Sequence, residues 1–390
     1  MDKKNKNPNV PNLRFPGFYN EWEKICIESL ITEEKIYTSD FEKYPLYSFT
    51  IELGIIPKTE RYERGFLIKK DGNLFKVVQQ NDFVMNPMNL RFGAINYSKV
   101  SKSISVSGYY NIFRMDNCKF NDFWNAYFKT PKLLNLYNSI ATGSLVEKKR
   151  VHFSQFKKIK MYMPCELEKQ KIDTLIKLLD LRIETQSKII NDLKFLKEGI
   201  SNLIFKIPVI ENSNKTLQNF LIEGDKTPVD TKKYRKITIK LNKQGIVYSD
   251  LTREMADTRP FYLRHKGELI IGKQNYFNGS IAIVDSQFDS CICSNAIMSF
   301  KVKNIDKNFL YYQISNNNYL NSQSYKANGT GQKELSEKEF LKFKVWCPSN
   351  ELQKLIVCSI KGVDEKMNNE IIILKKYIEQ KEYLLNNLFI

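Results

Sequence analysis

Histidine is nearly missing from this chain: 390 residues contain 2, His152 and His265. A metal site or catalytic triad built on imidazole therefore has little material, and both are read as surface or partly buried polar residues. No stretch approaches the roughly 18 uninterrupted apolar residues that a membrane span requires. The opening "MDKKNKNPNVPNLRFPGF" has basic residues with no apolar core behind them, so no signal peptide is expected. The 7 cysteines are an odd number without secretory context, which predicts reduced thiols and a cytoplasmic protein. Cys291 and Cys293, one residue apart, are read as lying on alternating sides of a strand rather than spaced for zinc ligation.

Nucleotide and catalytic motifs are missing as well. "GELIIGKQ" follows the phosphate-binding loop from Gly267 to Lys273, but Gln274 stands where a Ser or Thr hydroxyl should meet magnesium. "NPMN" at 86–89 lacks the second proline and the stacking aromatic of an adenine methyltransferase element. No glycine-rich fingerprint sits on a strand–helix turn to hold S-adenosylmethionine. "GTG" at 329–331 lies in a polar loop, and the Glu-x-Lys spacing of "EKK" at 147–149 is common by chance in a lysine-rich chain. No catalytic constellation is visible, and no cofactor or metal is expected in this chain.

What is present is positive charge. The formal net charge is +18, from 61 Lys+Arg against 43 Asp+Glu, which favours a polyanionic partner, nucleic acid or an anionic membrane face. Apolar residues at 42% can fill cores, and the length predicts two domains or more.

The chain also repeats itself. "KEGISNLIF" at 197–205 and "KEYLLNNLF" at 381–389 share Lys, Glu, Asn and Phe in register at a shift of 184. The same shift pairs Phe156/Phe340, Lys158/Lys342, Lys160/Lys344, Pro164/Pro348, Asp180/Asp364 and Ile189/Ile373. "FKKIKMYMP" and "FLKFKVWCP" each read as an alternating strand stopped by proline. A long helix follows each proline. Its seven-residue apolar pattern selects Ile172, Ile176, Leu179, Ile183, Ile190 and Leu193 in the first copy, and Ile356, Ile360, Val363, Met367, Leu374 and Leu384 in the second. Both stripes turn polar at the same rungs, Gln186/Glu370 and Lys197/Lys381, which suggests register control between paired helices. Two helices docked separately on their own domains are the alternative.

Upstream, "NDFVMNPMNLRFGAI" and "GELIIGKQNYFNGSI" each place a carboxylate, Asp82 or Glu268, eleven residues before a glycine, Gly93 or Gly279. "SVSGYYNIFRM" resembles "ICSNAIMSFKV", aligning Ser107 with Ser294 and Phe113 with Phe300. Alternating strands run into Gly54-Ile55 and Gly245-Ile246. The organisation expected is an N-terminal extension (1–19), a first globular domain (20–155), a strand and long helix (156–205), a linker (206–213), a second globular domain (214–339), and a second strand and long helix (340–390). Short alternating strands mixed with a few helices, as at 121–140 and 306–325, predict α+β domains.

The basic loops combine cations with amides and aromatics. The candidate contacts to a nucleic acid are Lys58, Arg61, Arg64, Lys69, Lys70, Asn86, Asn89 and Arg91 in the first copy. In the second they are Arg253, Arg259, Arg264, Lys273, Gln274, Asn275, Tyr276 and Asn278. Lys and Arg neutralise phosphates, while Asn, Gln and Arg can read base edges through paired hydrogen bonds. Solvated polar loops are the alternative for any one of these residues.

The layout resembles the specificity subunit of Type I restriction–modification enzymes over nearly the whole chain. "LRFPGFYNEW" at 13–22 looks like the family's entry segment. Pro164, Glu168, Gln170, Lys171, Ile172 and Leu178-Leu179-Asp180 look like the start of its conserved helix, and "LKFLKEGISNLIF" like that helix's end. The second helix start, "LQKLIVCSIKGVD", departs further from that pattern. The resemblance implies two target-recognition domains, each reading part of a split double-stranded DNA sequence, joined by two long antiparallel coiled-coil helices. It also implies two methyltransferase (modification) subunits as partners, with restriction/motor subunits joining them. S-adenosylmethionine, ATP and magnesium would belong to those partners, and this chain would be a DNA-binding subunit without catalysis. A helix of about 39 residues would span about 58 Å as a spacer. A self-contained DNA-modifying enzyme with a cryptic site, and a coiled-coil scaffold without DNA binding, are the readings left to compare.

Overall fold

The computed structural model describes residues 9–51, 54–58, 75–144, 149–206, 215–249, 259–324 and 334–390. The chain forms two compact units: unit 1 comprises residues 1–187 and 373–390, and unit 2 comprises residues 188–372.

Unit 1 contains β1 (Glu23–Cys26), β2 (Ile31–Glu34), β3 (Tyr37–Thr38), β4 (Tyr47–Thr50), β5 (Gly54–Pro57), β6 (Phe75–Val78), β7 (Phe83–Met85), β8 (Ile95–Tyr97), β9 (Ile104–Ser107) and β10 (Asn111–Met115). Helices α1 (Asn121–Tyr127), α2 (Pro131–Ile140) and α3 (Phe153–Lys157) follow, then β11 (Lys160–Met163) and the long α4 (Glu166–Lys206). A four-stranded sheet orders β2-β10-β7-β8, and a three-stranded sheet orders β3-β6-β9. The central strand β7, "FVM", is buried on both faces. Phe83 and Met85 enter one core, while Val84 enters another with Val78, Ile104 and Ile112. A strand covered on both sides reads as continuous apolar sequence rather than alternation.

Unit 2 repeats this plan with β12 (Lys215–Thr216), β13 (Leu221–Glu223), β14 (Ile237–Ile239), β15 (Ile246–Tyr248), β16 (Phe261–Arg264), β17 (Leu269–Gly272), β18 (Ile281–Ile283), β19 (Cys291–Ser294) and β20 (Ile297–Val302). Helices α5 (Lys307–Ile314), α6 (Asn317–Gln323) and α7 (Glu337–Leu341), strand β21 (Lys344–Val345) and the long α8 (Asn350–Leu388) complete it. The four-stranded sheet is β13-β20-β17-β18, the counterpart of the first. Its central strand splits the same way, with Leu269 and Ile271 in one core and Ile270 in the other. Register repeats too: Phe113 faces Phe83 as Phe300 faces Leu269, and Phe75 faces Ser107 as Phe261 faces Ser294. The fold is α+β, two globular parts related by an internal repeat and carrying two long helices.

Those helices run antiparallel, and each unit shows it independently. In unit 1, Ile172 and Ile176 share a core with Leu388 and Phe389, Asp180 meets Lys381, and Arg182 lies over the Tyr377 ring. In unit 2, Lys197 meets Asp364, and Phe205 packs with Ile356 and Ile360. Of the twelve apolar positions expected at the helix pairing, Ile172, Ile176, Leu179, Ile190, Ile356 and Ile360 are buried. Ile183, Leu193, Val363, Met367, Leu374 and Leu384 are half-buried. The polar rungs Gln186 and Glu370 are buried as well.

Five local expectations need correction. The segment at 156–164 is not one strand: Phe156 ends up in the short α3, and only Lys160–Met163 pairs, because Phe156 and Ile159 must both turn into the core. Its counterpart at 340–348 does the same, with Phe340 in α7 and only Lys344–Val345 paired. The helical stretch 121–140 is split by Pro131, which starts α2, and 306–325 is split by Asn316, whose side chain accepts from Asn318 and Tyr319 N–H. Cys291 and Cys293, two positions apart, share one face of β19 and are both buried there.

The entry segment is fastened to the start of α4. Arg14 Nε and Nη2 donate to the Glu168 carboxylate at 2.7 and 2.8 Å, and Trp22 Nε1 donates at 3.1 Å. Asp173, one turn on, accepts from Phe123 N–H at 2.8 Å and so locks α1 to the same helix.

Candidate nucleic-acid interface

Two loops, 86–93 in unit 1 and 272–279 in unit 2, are built on one backbone plan. Asn86 N–H donates to Ala94 O at 3.0 Å as Gly272 donates to Ser280 O at 3.0 Å. Gly93 N–H donates to Leu90 O at 2.8 Å, as Gly279 does to Tyr276 O. Ala94 and Ser280 both return to the carbonyls of Asn89 and Asn275. A 3-10 turn fills each loop, and Gly93 (φ +85°) and Gly279 (φ +75°) close them in the left-handed region that favours glycine. At Gly279 a Cβ would also meet Lys243 N at 3.0 Å, because Asn242 and Lys243 of the β14–β15 hairpin bond to the Asn278 and Gly279 carbonyls.

The side chains on this shared plan differ. In unit 1 the Arg91 guanidinium lies 4.5 Å over the exposed Phe92 ring, and the Asn86 side chain accepts from Met88 N–H at 3.1 Å. Asn89 is half-buried, and so is Lys58, whose backbone N–H bonds Leu46 O. In unit 2, Gln274, Asn275 and Asn278 are exposed, with Asn278 Nδ2 donating to Asn275 Oδ1 at 3.2 Å. Arg259 is exposed just before β16. Lys273 Nζ lies 3.8 Å from Glu337.

Two of the expected contacts point inward instead. Arg264, 2% exposed, donates from Nη1 to Asp225 O at 2.9 Å and from Nε to Cys293 Sγ at 3.1 Å. It holds the 224–226 turn. Tyr276 is fully buried and donates to Ile314 O at 2.8 Å; burial pushes its phenol well above the ordinary range. Arg61, Arg64, Lys69, Lys70 and Arg253 lie outside the described residues.

The exposed cations that sequence reading passed over are on the approach to β14. "KKYRKITIK" at 232–240 carries five basic residues, and Ile237 and Ile239 turn inward while Thr238 and Lys240 turn out. Lys232 and Lys233 are exposed, and the Arg235 guanidinium stacks 3.5 Å from the Tyr248 ring. No ion pair is seen for Lys232, Lys233 or Lys240 among the described residues. The run of charge was the signal, and the strand alternation behind it decides which residues face out.

The repeated carboxylates serve the interior. Asp82 accepts from Arg114 Nε at 2.8 Å and Gln79 N–H at 2.7 Å, and burial raises its pKa despite those donors. Glu268 accepts from Ser299 Oγ at 2.8 Å. His152 precedes α3 in a capping arrangement with Gln155, and exposed His265 lies 3.7 Å from Asp289. Among the described residues no group of three His, Cys, Asp or Glu side chains is placed to hold a metal, and no helix is long and apolar enough to cross a membrane.

Residues 206–376 match the family described as Type I restriction modification DNA specificity domain. No curated protein matches the sequence. The fold is similar to the crystal structure of the Type-I restriction-modification system S subunit from M. genitalium, with TM-score 0.56 and 15% identity over 98% of this chain and 99% of that one. A chain from a structure on complex assembly and conformational transition of the type I R-M system is similar at TM-score 0.56 and 12% identity, covering 97% and 98%.

Proposed function

We propose that this protein is a specificity subunit of a Type I restriction–modification system, a reading supported by its matched domain and its whole-chain fold, and that it reads a DNA target in two separate parts without catalysing any step itself. Loops 86–93 and 272–279 carry the reading: one backbone plan, held by the same hydrogen bonds, presents Arg91 and Phe92 in one unit and Gln274 and Asn278 in the other. Equal scaffolds with unequal side chains suit two half-sites of different sequence, because phosphate contacts position a reader while base-edge contacts specify. The antiparallel segments of α4 and α8 in each unit would be the platform for modification subunits, with restriction subunits joining them. S-adenosylmethionine, ATP and magnesium chemistry would sit in those partners.

The test is selection of bound duplexes from a random library by the chain assembled with its modification subunits. A gapped consensus with two defined parts is expected. A single continuous consensus, or none, defeats the proposal. Methyl transfer or cleavage by the purified chain alone would favour a self-contained enzyme instead.

A further inference from the structure

We propose that Glu337 occupies a ready-made phosphate seat, holding Lys226 and Lys273 in an internal ion cluster that a DNA backbone phosphate displaces. This rests on the DNA-reading role above and adds a residue that restrains indiscriminate binding.

A cleft of about 780 Å³ opens in unit 2, and its wall includes Lys226, Arg264, Lys273, Asn295 and Glu337. Lys226 Nζ donates to Glu337 Oε2, and Lys273 Nζ lies 3.8 Å from Oε1 of the same carboxylate. Two ammonium groups from separate loops thus share the two oxygens of one anion. A phosphodiester also offers two unesterified oxygens on a single negative charge, so it can satisfy the same pair of lysines. Glu223 gives Lys226 a further contact at 2.7 Å, and both carboxylates raise the Lys226 pKa through hydrogen bonds, Glu223 foremost.

The local fold constructs this seat. Gly224 N–H donates to Ser299 O at 2.8 Å, and a Cβ on Gly224 would meet Ser299 Oγ at 2.9 Å, so the turn closes only on glycine. Buried Arg264 grips the next carbonyl, that of Asp225, and the Asp225 carboxylate ties Thr227 N–H at 2.9 Å. The turn so fixed presents Lys226. From the other side, Leu335 N–H donates to Lys273 O at 3.0 Å, which sets Lys273 beside the first turn of α7 where Glu337 stands. Lys226 remains 47% exposed while Glu337 is 18% exposed, so an incoming anion reaches the lysine first. Ion pairs this open to solvent are weak enough to exchange.

With Glu337 and Glu223 in place, the charges of Lys226 and Lys273 are already balanced when random DNA arrives, and removing Glu337 leaves one of them free for a phosphate. Only a duplex held in register by the reading loops keeps a phosphate in the cleft long enough to displace Glu337. The wild-type chain and Glu337→Gln, each assembled with modification subunits, are compared on duplex lacking the target, across roughly 50–200 mM salt. Glu337→Gln should bind such DNA about 3- to 10-fold more tightly, and the log–log salt slope should steepen by about 0.9, the value for one phosphate gained. Adding Lys226→Gln should erase the gain. Unchanged or weaker binding with an unchanged slope overturns the proposal, as does a gain that survives Lys226→Gln. Should Glu337→Gln fail to fold, Lys226→Gln and Lys273→Gln decide alone. Each should weaken target binding and shed about 0.9 from the slope, and undiminished binding by both overturns the seat. If the wild type selects a gapped target while Glu337→Gln changes nothing, the seat falls and the DNA-reading role stands. If the wild type selects no such target, the reading role itself fails.

Discussion

Lys381 donates to the Asp180 carboxylate between the two long helices of unit 1, and in unit 2 Lys197 donates to Asp364 at 2.6 and 2.8 Å. The residues are repeat-mates: Asp180 and Asp364 stand 184 positions apart, and so do Lys197 and Lys381. Each bridge therefore joins the Asp of one copy to the Lys of the other. A helix paired with a parallel or slipped neighbour could not form both, so the bridges mark one register.

Reversing Asp180 to Lys should lower stability by about 1 kcal/mol, since part-exposed pairs are worth up to roughly that much. The double variant Asp180→Lys/Lys381→Asp should recover most of it. Denaturant unfolding of the two single variants and the double variant measures the coupling directly. Additive losses would show that the bridge contributes nothing to pairing.

Glu168→Ala should be far more costly. The carboxylate is 1% exposed and takes three donors from Arg14 and Trp22, whose side chains would be left buried without it. Removing one partner of a buried ion pair costs about 3–5 kcal/mol. Urea unfolding should register that loss, with Trp22 emission shifting red as its indole N–H turns to water.

The pH dependence of unit 1 should carry the mark of Lys129. Burial, aided by Lys381, pushes its ammonium down to about 8. A lysine free in the unfolded chain titrates near 10.4, so between these values the unfolded state binds more protons. Stability should therefore rise as pH climbs from about 8 to 10, relative to Lys129→Met, and the penalty should be fully present below 8. Melting temperatures of both proteins at pH 7 and pH 10 test this. A constant difference between them would count against a depressed Lys129.

Lys232, Lys233 and Lys240 should contribute to DNA affinity without contributing to sequence preference. Replacing all three with Gln should weaken binding to target and random duplex by similar factors, and flatten the salt slope by up to about 2.7 at roughly 0.9 per phosphate contact. Anisotropy titrations at several salt concentrations resolve the two effects. A loss confined to the target sequence would place these lysines at base edges instead.

The long helices were legible because burial on one stripe enforces a period, and every position that period selected, from Ile172 to Leu384, lies at least half inside. Gly93 and Gly279 were legible for a related reason: a backbone with positive φ tolerates little else, so the pattern survives even where side chains diverge. The interface was less so. Arg264 and Tyr276 have the chemistry of contact residues, yet strand β16 and the 276–278 turn aim them inward, and residue type does not reveal aim. Asp180 and Lys381 were both visible as repeated residues. Their partnership depends on helix direction, which a repeat alone does not specify.

Phe389 packs against Phe123 and Tyr127, with tilted rings whose centroids lie 5.3 and 4.7 Å away, and Leu388 lies in the same core. On the ribosome this has a cost in time. At 5–20 residues per second, roughly 10–40 s separate the emergence of residue 187 from that of residue 389. Throughout that interval the part of unit 1 already made waits with an unfilled apolar socket, an opening for chaperones or for another nascent chain to plug before the last turn of α8 arrives.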